Sequence, residues 1–197
     1  MNSPAREWMD RSAEIFARAL EAVPDAALGE PSVLPGWTRK HVIAHVHFNA
    51  LSLGRLAHWA ATGEPTPQYA SVTQRRTEIE EGAGWPAAKL RALAGESAAA
   101  LARALDRLDG DGWAREVETI QGRRIPATEL PWLRARETAV HAVDLAAGVG
   151  FAGLPEDLLL ALATEVLTGR ARTGELAGIT SWLTGRSTEA PPIGPWL

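Results

Sequence analysis

Alanine and leucine dominate this sequence, with 36 Ala and 23 Leu among its 197 residues. Both residues are strong helix formers, whereas the β-branched residues that favour strands are scarce and only three Phe and one Tyr are present. An apolar share of 46% with 22% charged residues is ordinary for a folded globular domain. The composition therefore predicts an all-α protein and argues against both a sheet-rich fold and a disordered chain.

Proline and glycine divide the chain into segments with helical periodicity. The predicted helices begin at Ser3-Pro4 and end before Pro24, and then cover residues 38–62, 71–81, 85–108, 126–147, 155–172 and 176–184. Residues 110–124 mix glycine with Val117 and Ile120, which predicts a long loop or a short strand pair. Four long helices with a long second connection are typical of a four-helix bundle. We therefore expect a bundle over residues 1–150 and a short, mostly helical extension over residues 151–197.

Charge and hydropathy exclude several classes of function. The net charge is −4 and no block of Lys and Arg stands out, which argues against nucleic-acid binding. No run of about 18 apolar residues is present, so no membrane span is expected. The N-terminal residues lack a signal-peptide pattern. Cysteine is absent, which excludes disulfides, thiolate metal sites and a catalytic thiol from this chain. These features predict a cytoplasmic protein.

Two predicted helices carry residue types that bind metals. His41 and His45 lie four residues apart on the second helix and share a face, as do Glu137 and His141 on the helix over 126–147. A histidine opposite a Glu/His pair provides three ligands for a divalent metal and leaves positions open for water or substrate. The spacing makes a metal site possible without establishing it, because such spacing is more often that of a solvated Glu/His pair and of a semi-buried histidine with its own hydrogen bonds.

Other polar residues allow two interpretations each. Gln121-Gly122-Arg123 combines backbone freedom with a guanidinium group, which suits an anionic ligand, but an ordinary turn has the same composition. Asp144 follows His141 by three residues and either orients a ligand histidine or faces solvent. The residues by themselves do not decide between these alternatives.

Several segments resemble the mycothiol-dependent maleylpyruvate isomerases, which belong to the wider group of DinB-like metal-binding helical bundles. The resemblance lies in residues 34–45 with their Gly36-Trp37-Thr38 loop, in 49–50, 58–60 and 62–64, in Gln121-Gly122-Arg123, and in 136–145 with Glu137, His141 and Asp144. These segments occur in the same order and cover most of residues 30–155. The combination is fairly specific for the family.

This resemblance implies a DinB-like four-helix bundle with a zinc site. The zinc ligands of the family map onto His45, Glu137 and His141, whereas His41 and His47 do not fall on ligand positions. Gln121 and Arg123, in the matching Gln-Gly-Arg segment, are then expected to bind the thiol cofactor.

The end of the chain resembles the family only in part. Isomerases of this family have a smaller α/β domain after the bundle, which contributes a functional arginine, and the matching residue here is Arg186 after Gly185. Residues 195–197, Pro-Trp-Leu, are also similar. Around residues 170–176, however, the sequence passes almost directly from one predicted helix to the next. The strands of the usual domain are therefore not expected, and the C-terminal region is predicted to be shortened.

The function that the resemblance implies is the cis–trans isomerisation of maleylpyruvate to fumarylpyruvate in gentisate-type aromatic degradation. A thiolate that adds to the double bond and then leaves permits this rotation, and a chain without cysteine must take the thiol from outside. In the resembled family the thiol is mycothiol, and Zn²⁺ with an open position binds the thiolate or the substrate oxygens. Arg186, and also Arg123, would hold the carboxylates of the substrate.

Two other functions remain open at this point: a mycothiol S-transferase on the same site, and a non-catalytic metal-binding bundle. The expected partners are a small dicarboxylate and a low-molecular-weight thiol, with no nucleic acid and no membrane. The expected assembly is a monomer or a homodimer.

Overall fold

A computed structural model describes residues 4–194, and most of them are helical. The helices are α1 (Pro4–Ala22), α2 (Arg39–Thr62), α3 (Val72–Ala83), α4 (Ala87–Asp106), α5 (Gly110–Ala114), α6 (Leu130–Asp144), α7 (Glu156–Arg172) and α8 (Leu176–Leu183). Two short strands, β1 (Glu116–Glu118) and β2 (Arg124–Pro126), form an antiparallel pair. The predicted all-α class is confirmed, while the predicted helix start at Ser3 lies outside the described residues.

Four of the helices form the bundle. Helix α1 packs against α6, and α2 packs against both α4 and α6. Their shared core consists largely of leucine side chains with almost no exposed surface, among them Leu53, Leu56, Leu90, Leu105 and Leu130. Each fully buried leucine stabilises the folded state by about 2 kcal/mol relative to an exposed one. The helices that the Ala- and Leu-rich segments predict are thus the helices of the bundle.

The connection between α4 and α6 differs in detail from the prediction. Pro126 was expected to begin a helix, but it ends strand β2, and α6 starts only at Leu130 after a short 3-10 turn. Val117 and Ile125 pair across the two strands, and both side chains are buried. This burial of a cross-strand pair outweighs the helical tendency of the following residues.

A buried arginine joins helices α6 and α2. The side chain of Arg134 is almost completely buried, and its Nη1 donates to the carbonyl oxygen of Val46 at 2.7 Å and to Oδ1 of Asn49 at 2.8 Å. Burial lowers the pKa of Arg134 to about 10, so the group is still a cation at neutral pH. The charged guanidinium therefore fixes the separation of the two helices by donating hydrogen bonds to neutral oxygen atoms of α2.

Helix α3 lies directly on α2 because a glycine permits close contact. A Cβ atom at Gly82 would lie 2.8 Å from the Cβ of Ala44 and 3.0 Å from the ring of Phe48, closer than real Cβ atoms approach other atoms. Any side chain at this position would separate the two helices. The glycine thus allows side chains of α3 to reach residues of α2.

The chain divides into two compact units between Gly153 and Leu154. Helices α7 and α8 form the helical part of the second unit, and its described residues, 154–194, contain no strand. No helix of residues 4–194 combines the length and the hydropathy that a membrane span requires.

Candidate metal centre

His45 of α2 meets Glu137 and His141 of α6 inside the bundle. Oε2 of Glu137 lies 2.9 Å from Nε2 of His45 and 3.5 Å from Nε2 of His141, and the three potential ligand atoms lie within 4.8 Å of one another. The two imidazole rings are 4.6 Å apart and nearly perpendicular. All three side chains are buried, so the Glu/His pair of α6 is not a solvated surface pair.

The loop before α2 places an aromatic ring beside the cluster. Residues 34–37 form a turn in which the N–H of Trp37 donates to the carbonyl oxygen of Leu34 at 3.1 Å. Gly36 has a φ of +78°, a conformation that favours glycine after Pro35 and is typical of a type II turn. The ring of Trp37 consequently lies 5.6 Å from that of His45 and forms an apolar wall on one side.

The neighbouring histidines of α2 have structural roles, in keeping with their positions outside the family's ligand pattern. Nδ1 of His41 accepts a hydrogen bond from the N–H of Thr38 at 3.1 Å, which caps the start of the helix, while its Nε2 lies 3.3 Å from Glu80. Nδ1 of His47 donates to the carbonyl oxygen of Leu93 at 3.0 Å. Both rings are therefore engaged with α3, α4 or the helix cap.

Asp144 orients His141. Nδ1–H of this histidine donates to Oδ2 of Asp144 at 2.8 Å, so the nitrogen directed at the cluster is Nε2. Histidines that bind metals typically donate their other ring N–H to a carboxylate in this way. Burial alone would lower the pKa of His141, but the hydrogen bonds to Asp144 and Glu137 outweigh it and raise the pKa.

The side chains of the cluster have the protonation states that bind a metal cation. Burial lowers the pKa of His45 to about 4, so this imidazole is neutral at pH 7. Burial also opposes the ionisation of Glu137, but hydrogen bonds from His141 and His45 hold its pKa well below the usual range. Two imidazole nitrogens and one carboxylate oxygen are a common ligand set of catalytic zinc sites, and these residues therefore fit a zinc ion.

The hydrogen bond from His141 to Asp144 leads to a prediction for metal affinity. Asp144→Ala removes the acceptor that fixes the ring, so the zinc Kd should rise by about 10- to 100-fold. Competition with a chromogenic chelator measures this Kd. Glu80→Ala, which removes a carboxylate beside a histidine outside the cluster, is the matched control and should leave the Kd unchanged. An unchanged zinc Kd in Asp144→Ala would contradict the role assigned to Asp144.

Gln121 and Arg123 lie on the exposed loop that joins β1 to β2. Gly122 has a φ of +74°, and its N–H donates to the carbonyl oxygen of Thr119 at 2.8 Å, which closes a tight turn. The guanidinium of Arg123 lies 3.7 Å from the carboxylate of Glu129, and both groups are exposed. These contacts account for the turn, and a role of the two side chains in cofactor binding stays a prediction.

Arg186 lies in the second unit, at the C-terminal end of α8. The N–H of Gly185, with a φ of +72°, donates to the carbonyl oxygen of Trp182, and the N–H of Arg186 donates to that of Ser181. These two bonds are a Schellman motif, which ends a helix. The exposed guanidinium donates to the carbonyl oxygen of Thr184. Its catalytic role stays a prediction, and residues 195–197 lie outside the described residues.

Arg75, which contacts the cluster, was not identified from the sequence. Nη2 of Arg75, on α3, lies 3.4 Å from Nδ1 of His45. Arg75 is followed by Arg76 in a mostly polar helix, a pattern that is typical of a solvated face. Nothing in this pattern separates the two arginines, and only the packing of α3 on α2 does so.

Comparison with known proteins identifies similar sequences and structures. Residues 9–146 match the family model described as the mycothiol maleylpyruvate isomerase N-terminal domain. The crystal structure of a mycothiol-dependent maleylpyruvate isomerase is 43% identical, with a TM-score of 0.81 over 83% of this chain and 68% of that chain. The crystal structure of a variant of such an isomerase, with one histidine replaced by alanine, is 42% identical. Its TM-score is also 0.81, again over 83% of this chain and 68% of that chain. None of the curated proteins compared with the chain matches it.

Proposed function

Because the chain belongs to the mycothiol maleylpyruvate isomerase family, we propose that it isomerises maleylpyruvate to fumarylpyruvate with mycothiol as the thiol. The observation that carries this proposal is the buried cluster of His45, Glu137 and His141. It lies within the region that matches the family model, in a bundle similar to that of a solved enzyme of this activity. We therefore assign both the proposed reaction and its proposed metal to this cluster.

We propose that the cluster holds Zn²⁺ through Nε2 of His45, an oxygen of Glu137 and Nε2 of His141. When bound, the metal supplies a Lewis acid with an open position, which favours the thiolate form of a bound thiol. Asp144 holds the ring of His141 in the required orientation, and the apolar ring of Trp37 limits access of water on one side of His45. Burial keeps His45 neutral, so its nitrogen lone pair is available at pH 7.

The substrate and the thiol need further groups. Maleylpyruvate is a dicarboxylate, and guanidinium groups bind carboxylates in a planar, two-pronged manner. We propose Arg186 as the catalytic residue that holds a carboxylate. Gln121 and Arg123, on an exposed loop with donor groups and a cation, are proposed to bind the thiol cofactor.

The decisive experiment is product analysis with zinc-loaded protein, maleylpyruvate and mycothiol. We expect fumarylpyruvate as the product, with mycothiol regenerated unchanged. A second candidate, a mycothiol S-transferase on the same site, is favoured by the second unit, whose described residues 154–194 contain no strand. Accumulation of a stable thiol conjugate without fumarylpyruvate would support that candidate and contradict the isomerase.

Arg186 provides a test of the substrate-binding proposal. Arg186→Ala should lower kcat/KM for maleylpyruvate by roughly a hundredfold, or about 2.7 kcal/mol, because a carboxylate contact is lost. Arg186→Lys keeps the charge but loses the planar fork and should also impair turnover. Zinc content and Tm should hardly change, since the side chain is exposed. A wild-type kcat/KM in Arg186→Ala would contradict the substrate-binding role and leave Arg186 only its structural role at the end of α8.

A further inference from the structure

Arg75 is a cation at the metal cluster that no ligand assignment uses. Its guanidinium lies 3.4 Å from Nδ1 of His45 and is half-buried. Within residues 4–194, no carboxylate oxygen lies within 4.0 Å of its guanidinium nitrogens. The close packing of Gly82 on Ala44 keeps α3, and hence this guanidinium, near α2. A half-buried guanidinium without a carboxylate partner is a group to which an anion would bind.

The two histidines of the cluster differ at the nitrogen that faces away from Glu137. Nδ1 of His141 lies 2.8 Å from the carboxylate of Asp144, which is an acceptor. Nδ1 of His45 instead faces a guanidinium, which can only donate. This nitrogen of His45 therefore carries no proton in the present arrangement, and Nε2–H donates to Glu137 at 2.9 Å.

A metal at Nε2 of His45 requires the opposite arrangement of this proton. A neutral imidazole that offers the lone pair of Nε2 carries its proton on Nδ1. Nδ1–H and the N–H of Arg75 are both donors, so they cannot form a hydrogen bond with each other. A metal at Nε2 of His45 would therefore make the present contact of the Arg75 guanidinium with Nδ1 unfavourable. The same group is then available, one imidazole ring away from the metal, for another acceptor.

We propose that Arg75 is an anion-binding residue that metal binding releases, and that it holds a carboxylate group of the dicarboxylate substrate beside the metal. This inference rests on the proposed function for its substrate class and for its metal site. It makes Arg75 a competitor of the metal in the free protein and a ligand of the substrate in the loaded protein. Replacement of Arg75 should therefore strengthen zinc binding to the free protein and weaken dicarboxylate binding to the loaded protein. These two affinities can be measured separately.

The first measurement is the zinc Kd of the metal-free protein at one fixed pH. Arg75→Met removes the donor and the positive charge, so we expect it to bind zinc about tenfold more tightly than the wild type, an effect equivalent to one charged hydrogen bond. Arg76→Met is the matched control on the same helix and should leave the zinc Kd unchanged. An unchanged or weaker zinc affinity in Arg75→Met would overturn the proposed competition.

The second measurement uses succinate, an unreactive dicarboxylate, and zinc-loaded protein in a calorimeter. Arg75→Met should weaken succinate binding by about tenfold, Arg75→Lys by less, and Arg76→Met not at all. Equal succinate affinities in the wild type and Arg75→Met would overturn the anion-binding role. Neither measurement uses turnover. Failure of the wild type to isomerise maleylpyruvate would therefore refute the proposed function and leave these two results to decide on Arg75.

Discussion

His141→Ala will prevent zinc from binding and lower isomerase activity by roughly a thousandfold or more, because a Lewis acid contributes several kcal/mol to the reaction. The proposed site has three protein ligands, so the loss of one leaves a pair that holds zinc weakly. His45→Ala and Glu137→Ala should have the same effect, since all three potential ligand atoms lie within 4.8 Å of one another. Metal content after dialysis and kcat/KM for maleylpyruvate are the measurements.

His47→Ala is the matched control for the ligand substitutions. His47 lies on the same helix as His45 and is equally buried, but its ring donates to the carbonyl oxygen of Leu93. This variant should lose some stability and retain its zinc. Full zinc occupancy in His141→Ala would remove the basis for the assignment of the metal site.

Removal of thiol from the assay will reduce the turnover of maleylpyruvate to background, a loss of roughly a thousandfold or more. Rotation about a conjugated double bond needs a nucleophile that adds and then leaves, and thiolates do this well. No residue of this chain is cysteine, so these 197 residues provide no thiol. Addition of mycothiol should restore the rate in proportion to its concentration until the site is saturated.

Two controls define this thiol experiment. Mycothiol without protein measures the uncatalysed reaction, and a simple thiol such as cysteine measures how much of the rate depends on recognition of mycothiol. Substitution of Gln121 or Arg123 should affect the rate with mycothiol and not that with the simple thiol. Equal rates with and without thiol would refute a thiol-dependent reaction.

Much of the fold follows from local sequence signals. Helix α2 agrees with the predicted range 38–62, because the polar cap Thr38 and the left-handed Gly63 act within one turn of the chain. The strand ending at Pro126 shows the limit of such signals. The strand pair that was one of two alternatives for residues 110–124 does form, but its pairing of Val117 with Ile125 carries β2 past that range, and the helix pattern that follows does not reveal this extension.

The cluster could be predicted only in part for the same reason. The spacing of Glu137 and His141 places both on one face of α6, but it does not state which helix that face meets. The family resemblance supplied His45 as the third member, and the structure brings the three side chains together. Arg75 could not be found in this way, because its position depends on the contact of Gly82 with Ala44 and not on any local pattern.

The buried guanidinium of Arg134 has a consequence for the order of folding and metal uptake. It joins α6 to α2 through the carbonyl oxygen of Val46, one residue after His45, without using any ligand of the cluster. The spacing of the two ligand-bearing helices is therefore set by the polypeptide itself. We expect chelation to yield a folded apoprotein that takes up metal again without refolding, unlike small zinc domains whose folding depends on the ion. Zinc in this bundle would then be an exchangeable ligand whose occupancy follows its free concentration.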